Sequence, residues 1–200
     1  MHTKVKNIFF YLIIIFAIYC ALIIGQSWDE TSYLLLGKER LRYILSFGFY
    51  NIKQIFWNAH HYPGISYTLN AFIVSLFPHS LEVEITHLFN LSISISAVFG
   101  ISKISRELFN KRVSIIVFAI FILYPAFFGH MAINANDTVV TACNVWFVYL
   151  ALRYLKNQKG KKRKKYLILF SIVVALGTGV RLVFIGSLLP VIIFLLTDIF

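Results

Sequence analysis

Charged residues are scarce in this sequence. Only 14% of its 200 residues are charged and 59% are apolar, whereas soluble domains average about 25% and roughly 45–50%. The mean hydropathy is +0.78. A soluble globule of this composition would have to expose large apolar patches, which monomers rarely do. The composition therefore excludes a soluble enzyme and a disordered chain, and it indicates a membrane protein.

Cysteine and acidic residues are also few. Cys20 and Cys143 both fall inside apolar runs, so we interpret them as small core hydrophobes rather than as a disulfide or a metal pair. Eight acidic residues stand against 19 basic ones, for a net charge of +11. In a soluble protein this excess would suggest nucleic acid. Here most basic residues lie in short gaps between apolar runs, so we expect no nucleic-acid partner.

The apolar runs predict an all-α, polytopic membrane protein. A span needs about 20 apolar residues, and the last run is long enough for two short spans. The run from Ile65 to Phe77 is too short and is predicted to be interfacial or re-entrant. The two last spans are predicted to meet in a turn near Gly177–Arg181. In total the sequence predicts six transmembrane helices, at about residues 8–25, 85–103, 113–128, 138–155, 166–180 and 182–200.

The distribution of basic residues predicts the orientation. With six spans, 14 of the 19 basic residues fall on one side: Lys4, Lys6 and those of residues 103–112 and 153–165. Such an excess is typical of the cytoplasmic side. Both termini are therefore expected inside, and residues 26–84 are expected to form a long outer loop. The basic run Lys159–Lys165 is expected to contact anionic membrane lipid as well.

The outer loop is predicted to carry two interfacial helices. The first is Thr31 to Phe47, with Leu34, Leu41 and Leu45 on one face and Lys38, Glu39 and Arg42 directed elsewhere. The second is the short apolar run. The aromatic residues of the loop suit the lipid headgroup zone; they are Tyr43, Phe47, Phe49, Tyr50, Phe56 and Trp57.

Two adjacent carboxylates, Asp29 and Glu30, follow the first span directly. Carboxylates beside the hydrocarbon are unfavourable unless they are paired or used. A carboxylate at this surface is suited to act as a general base. The alternative is that Asp29 caps a helix that starts at Glu30. Both interpretations are open at this point.

Further polar candidates lie at the same predicted face. His60 and His61 precede the short apolar run and could bind a phosphate or a hydroxyl, or belong to a plain interfacial loop. A metal pair is disfavoured because adjacent side chains point in different directions. The short loop before residue 138 is dense in polar groups, with His130, Asn134 and Asp137; Asp137 alternatively caps the following helix.

Arg181 is the remaining candidate. It lies about 16 residues beyond Lys165, roughly 24 Å along a helix, which places it near the far edge of the hydrocarbon. An arginine there is either an interface anchor or an anion binder. Its guanidinium is the natural bidentate partner of a phosphate.

The order of these features resembles the GT-C membrane glycosyltransferases. The resemblance is to the dolichyl-phosphate-mannose protein mannosyltransferase type and its bacterial polyprenyl-phosphate-sugar relatives. It implies that the chain is the N-terminal part of a longer GT-C transmembrane domain. The segments that carry it are Asp29-Glu30, His61-Tyr62-Pro63-Gly64, Phe128 to Asp137, and Leu176 to Arg181.

The resemblance implies an inverting sugar transfer at the periplasmic or lumenal face. The donor would be a polyprenyl-phosphate-linked sugar and the acceptor a lipid, a glycan or a protein. Asp29 would deprotonate the acceptor, and Glu30 would orient it or share the proton. Arg181, His60 and His61 would meet the phosphate; His130, Asn134 and Asp137 would shape the sugar side. The resemblance demands no cofactor and leaves room for a divalent cation.

Two other functions are compatible with the sequence. A transporter or flippase subunit would line a path with intramembrane charge, but the predicted spans contain few ionisable residues and the polar groups gather at one face. A non-catalytic fragment or pseudoenzyme would lack part of the pocket. The sequence contains no retention signal and no long eukaryotic-style loops, which favours a bacterial inner membrane over the endoplasmic reticulum.

Overall fold

A computed structural model of the protein describes residues 2–52 and 63–199, and these residues form helices with no strand. The predicted all-α class is confirmed. In chain order the helices are α1 (His2–Ile23), α2 (Glu30–Leu45), α3 (Ile65–Val74), α4 (Glu82–Leu108), α5 (Lys111–Leu123), α6 (Pro125–His130), α7 (Asp137–Lys156), α8 (Arg163–Val180) and α9 (Phe184–Ile199), with a 3-10 turn at His79–Leu81 before α4.

Two long helices form the centre of the bundle. α4 packs against α1, α5 and α7, and α7 also packs against α8 and α9. One apolar cluster joins α1 and α4 to the segments around α6; the other joins α7 to α8 and α9 and contains the buried Cys143. Cys143 is thus a buried apolar residue, as the sequence predicts, whereas Cys20 is only partly buried.

Among the described residues, two helical segments are long and apolar enough to cross a membrane. They are His79–Leu108 and Asp137–Lys156. Shorter apolar segments occur at Phe10–Ile23, Ile65–Val74 and Phe184–Ile193. These segments agree with the membrane protein that the composition indicates, and the predicted count of six spans stays a prediction.

The bundle has two polar ends. Glu107 in the last turn of α4 pairs with Arg153 at 2.7 Å and with Lys156 at 2.9 Å, both in the last turn of α7. The helices α4 and α7 therefore finish at the same end. Asp137 starts α7 about 24 Å away from Arg153, at the opposite end. The basic segments at residues 103–112 and 153–165 consequently lie at a different end from Asp137.

One break differs from the predicted helix boundaries. The run predicted as one helix at 113–128 is interrupted at Tyr124, which is extended with a ψ of 115°. Pro125 follows, and a residue before proline is disfavoured in the helical region. The break between the last two helices, by contrast, falls within the predicted turn near Gly177–Arg181, because α8 ends at Val180. Gly177 makes room for the ring of Phe184.

Helices α2 and α3 lie within the predicted outer loop and pack against each other. Gly37 is needed in this contact because a Cβ atom there would collide with the carbonyl of Tyr67. The predicted polar face of α2 differs at one residue. Glu39 is buried, where it accepts a hydrogen bond from the hydroxyl of Tyr50 at 2.9 Å. The position of both helices relative to a membrane stays a prediction.

Candidate functional site

A cavity of about 290 Å³ lies where α2 and α7 begin and α8 ends. Five of the residues singled out in the sequence line it: Asp29, His130, Asn134, Asp137 and Arg181. They come from three separate stretches of the chain. The fold therefore gathers most of the sequence-predicted candidates around one space.

Asp29 stands directly before α2, but its side chain makes no capping hydrogen bond. Its backbone is already helical, with φ −89° and ψ −17°, whereas a capping residue normally has extended dihedrals. The interpretation of Asp29 as a side-chain cap is therefore wrong. Its exposed carboxylate faces the cavity instead.

Glu30 is placed differently from its neighbour. Its carboxylate is buried, and its Oε2 accepts a hydrogen bond from the backbone N–H of Ser27 at 2.6 Å. Its Oε1 lies 3.0 Å from Nε2 of His87, and Nδ1 of the same ring lies 2.9 Å from the carbonyl oxygen of Ala21. Glu30 is not among the residues that line the cavity.

The sequence does not predict the contact between Glu30 and His87. His87 is fully buried in α4, one of the two segments that qualify as membrane spans. An ionisable residue inside such a run implies a partner, and that signal was available. Which residue would be the partner depends on how α1 and α2 fold back on α4, which no local pattern shows.

Asp137 is the first residue of α7, and Asn136 occupies the capping position before it. Asn134 binds Asp137 twice: its Nδ2 donates to the Asp137 carboxylate at 3.0 Å, and its Oδ1 accepts from the Asp137 backbone N–H at 3.0 Å. The alternative that Asp137 is the helix cap is therefore wrong. Asn134 instead fixes the orientation of this carboxylate.

Arg181 follows α8 in an extended conformation, with φ −144° and ψ 128°. Its Nη1 lies 2.9 Å from Oδ1 of Asp137, and both side chains are partly exposed, at 36% and 57%. The ion pair holds the guanidinium beside the cavity. Because the pair remains accessible, an anion that enters the cavity can reach the guanidinium.

Two aromatic residues of the cavity were not predicted. Trp28 is 96% exposed beside Asp29. Tyr33, one turn into α2, stacks on Tyr67 of α3 with ring centroids 4.5 Å apart. Trp28 directly precedes the acidic pair in sequence, which is the one signal that could have indicated it. The position of Tyr33 in the cavity depends on the packing of α2 against α3, which the sequence does not show.

His60 and His61 lie outside the described residues. The described chain resumes at Pro63, whose carbonyl accepts a hydrogen bond from Arg40 at 2.7 Å. Burial lowers the pKa of the Arg40 guanidinium. Gly64 has a positive φ of 74°, and a Cβ atom there would collide with Arg40. In the described ranges, no group of three or more His, Cys, Asp or Glu side chains could hold a metal ion.

Comparison with known proteins identifies the family. A sequence model described as dolichyl-phosphate-mannose-protein mannosyltransferase matches residues 60–199, which is more than half of the chain. The match includes His130, Asn134, Asp137 and Arg181 but begins after Asp29 and Glu30. No curated protein and no solved structure matches the chain. The chain belongs to the dolichyl-phosphate-mannose-protein mannosyltransferase family, whose members are membrane glycosyltransferases.

Proposed function

We propose that the protein transfers a sugar from a polyprenyl-phosphate donor to an acceptor in the cavity between Asp29 and Arg181. One observation carries this proposal: an exposed carboxylate and an accessible guanidinium line the same cavity, at one end of a helical bundle of this family. A base and an anion-binding group are the two charges that such a transfer needs.

The chemistry assigns one role to each charge. The carboxylate of Asp29 accepts the proton of an acceptor hydroxyl or amine, and the freed electron pair attacks the anomeric carbon. The bond from that carbon to the phosphate oxygen breaks, and the polyprenyl phosphate leaves with the bonding electrons. Attack and departure on opposite faces invert the anomeric configuration. Arg181 stabilises the charge that develops on the phosphate, in the bidentate manner that suits guanidinium.

The remaining cavity residues support these two. Asp137 holds Arg181 at 2.9 Å, and Asn134 holds Asp137, so the guanidinium is oriented before the donor binds. His130 is exposed on the same wall and, with Asn134, would contact the sugar. His60 and His61 remain proposed as further phosphate ligands, and a divalent cation remains compatible with the proposal.

The donor requires a multi-pass arrangement with the cavity at the outer face. Large apolar side chains are exposed along four helices besides the two qualifying spans, namely α1, α5, α8 and α9. Lipid would cover such surfaces, and water would not favour them. With the positive-inside rule, this supports six spans with residues 26–84 outside. A bacterial inner membrane stays the proposed location on the sequence argument alone.

The test of the function follows both the sugar and the lipid. The full-length protein, reconstituted in vesicles, is given a polyprenyl-phosphate donor that carries a labelled sugar, together with candidate lipid, glycan and protein acceptors. Transfer of the label to an acceptor supports the proposal. Appearance of intact labelled donor in the opposite leaflet, with no transfer, would overturn it in favour of a flippase.

The orientation has a separate test. Cysteine is introduced at Lys38 or at Lys162 after Cys20 and Cys143 have been replaced, and intact cells are treated with a membrane-impermeant thiol reagent. We expect labelling at position 38 and none at position 162. Labelling at position 162 in intact cells would place the basic segment outside and contradict the topology.

A further inference from the structure

The half of α4 that lies nearest the cavity carries a stripe of buried polar side chains. Thr86, His87, Asn90 and Ser94 are at most 5% exposed. Residues 86, 90 and 94 share one helical face because they are four residues apart. Polar groups are costly inside a span unless they are paired. The next turn of the same helix is buried through the apolar residues Ala97 and Val98. Burial of α4 therefore does not by itself require polar side chains.

Two members of the stripe hold the loop between α6 and α7. The side-chain amide of Asn90 donates to the carbonyl of Ala132 at 3.0 Å, and the hydroxyl of Ser94 donates to the carbonyl of Met131 at 2.9 Å. Met131 and Ala132 begin the short non-helical segment that leads to Asn134 and Asp137. This segment forms the wall of the cavity that carries the pair between Asp137 and Arg181.

A third member holds the wall that carries Asp29. His87 contacts the carboxylate of Glu30 at 3.0 Å and the carbonyl of Ala21 at 2.9 Å. It thereby joins the end of α1 and the start of α2 to α4, on either side of Asp29. The two walls of the cavity are thus held by one helix, from positions about one and two turns apart.

We propose that His87, Asn90 and Ser94 are positioning residues, which set the separation between Asp29 and the Asp137–Arg181 pair. The inference rests on the proposed function, because that reaction needs the base and the phosphate ligand on opposite sides of one carbon. A misplacement of about 1 Å in such an arrangement can cost roughly 100-fold in rate. None of the three residues lines the cavity, so they act through the segments that they hold.

α4 also supplies a matched control. The hydroxyl of Ser102 donates to the carbonyl of Ser114 in α5 at 2.9 Å, the same kind of bond as that of Ser94, but it lies two turns farther from the cavity. Ser94→Ala and Ser102→Ala each remove one such hydroxyl from the same helix. A purely structural role predicts similar consequences for both.

The kinetic test measures transfer rate, donor KM and thermal unfolding of the purified full-length protein. We expect Asn90→Ala to lower kcat about tenfold or more and Ser94→Ala to lower it severalfold, with donor KM within about threefold of wild type. Ser102→Ala should keep the wild-type kcat, whatever its loss of thermal stability. Equal kcat in Ser94→Ala and Ser102→Ala would overturn the proposal.

A second readout does not depend on catalysis. Cysteines at Trp28 and Ile133, one on each wall of the cavity, are joined by a short bifunctional thiol reagent in a protein with Cys20 and Cys143 replaced. We expect Asn90→Ala and His87→Gln to change the rate of cross-linking at least threefold and Ser102→Ala to leave it unchanged. An unchanged rate in Asn90→Ala and His87→Gln would refute the positioning role. A changed rate in a protein that transfers no sugar would refute the proposed function and leave the positioning role standing.

Discussion

Each end of this bundle carries an arginine–carboxylate pair, yet the two ends are built differently. At one end Arg153 binds Glu107 at 2.7 Å, Lys156 binds the same carboxylate at 2.9 Å, and the hydroxyl of Tyr166 accepts from the Arg153 guanidinium at 3.1 Å. At the other end Arg181 binds Asp137 at 2.9 Å beside a cavity.

The difference lies in what surrounds each pair. Glu107 has two cationic partners, and the ring of Tyr166 stacks under Arg153 at 5.4 Å, so this network ties α4, α7 and α8 together. The pair at the cavity end faces the exposed carboxylate of Asp29 across an open space. At one end the same residue types thus join three helices in a cluster of Glu107, Arg153, Lys156 and Tyr166, which we call the clasp. At the other end they form a candidate binding site.

The largest expected effect comes from the buried support of the cavity end. Glu30→Ala removes the carboxylate that contacts His87 in the interior, and loss of one partner of a buried pair costs about 3–5 kcal/mol. Thermal or denaturant unfolding in detergent micelles measures this loss. Glu107→Ala, at the partly exposed clasp, is the matched variant and should cost less. Equal losses would show that burial does not distinguish the two ends.

The next effect separates catalysis from stability. Asp29→Asn should reduce kcat at least about 100-fold, the lower range for loss of a general base. The unfolding temperature should stay near that of wild type, because the Asp29 side chain makes no cap bond. Glu107→Gln is expected to keep its kcat. Transfer at the wild-type rate by Asp29→Asn would remove Asp29 from the mechanism.

The two arginines provide a direct comparison. Arg181→Lys should raise the donor KM about tenfold although the charge is kept, since lysine does not reproduce bidentate phosphate contact. Arg153→Lys should leave the donor KM unchanged, because Arg153 lies at the other end of α7. Steady-state kinetics with varied donor concentration measures both. If Arg181→Lys binds donor as well as wild type, Arg181 is an interface anchor, for which either side chain suffices.

The smallest effect is expected at the exposed part of the clasp. Lys156→Ala should change the free energy of unfolding by about 0.5 kcal/mol or less, because Lys156 is half exposed and Glu107 keeps Arg153. Activity should not change. Unfolding at low and high salt measures the contribution, and a loss near that of Glu30→Ala would show that the clasp is far more cooperative than its exposure indicates.

Much of the candidate site was predictable because charge is so scarce in this chain. Because the chain has only eight acidic residues, Asp29 and Asp137 are candidates from the sequence alone. Arg181 is a candidate because it lies near the end of an apolar run. Their convergence on one cavity follows from helices that alternate in direction. The burial of Glu39 and of Glu30 was not predictable, because each depends on a partner from another segment, Tyr50 and His87.

The sequence by itself determined that the chain is helical and suited to a membrane, because apolar runs of this length can satisfy their backbone hydrogen bonds there as helices. It also determined the break at Tyr124, because a residue before proline is disfavoured in the helical region. The tertiary structure alone decided which of two adjacent carboxylates is buried. Asp29 and Glu30 differ by one position, about 100° around a helix, so when Glu30 at the start of α2 contacts His87 of α4, Asp29 is left on the side of the cavity.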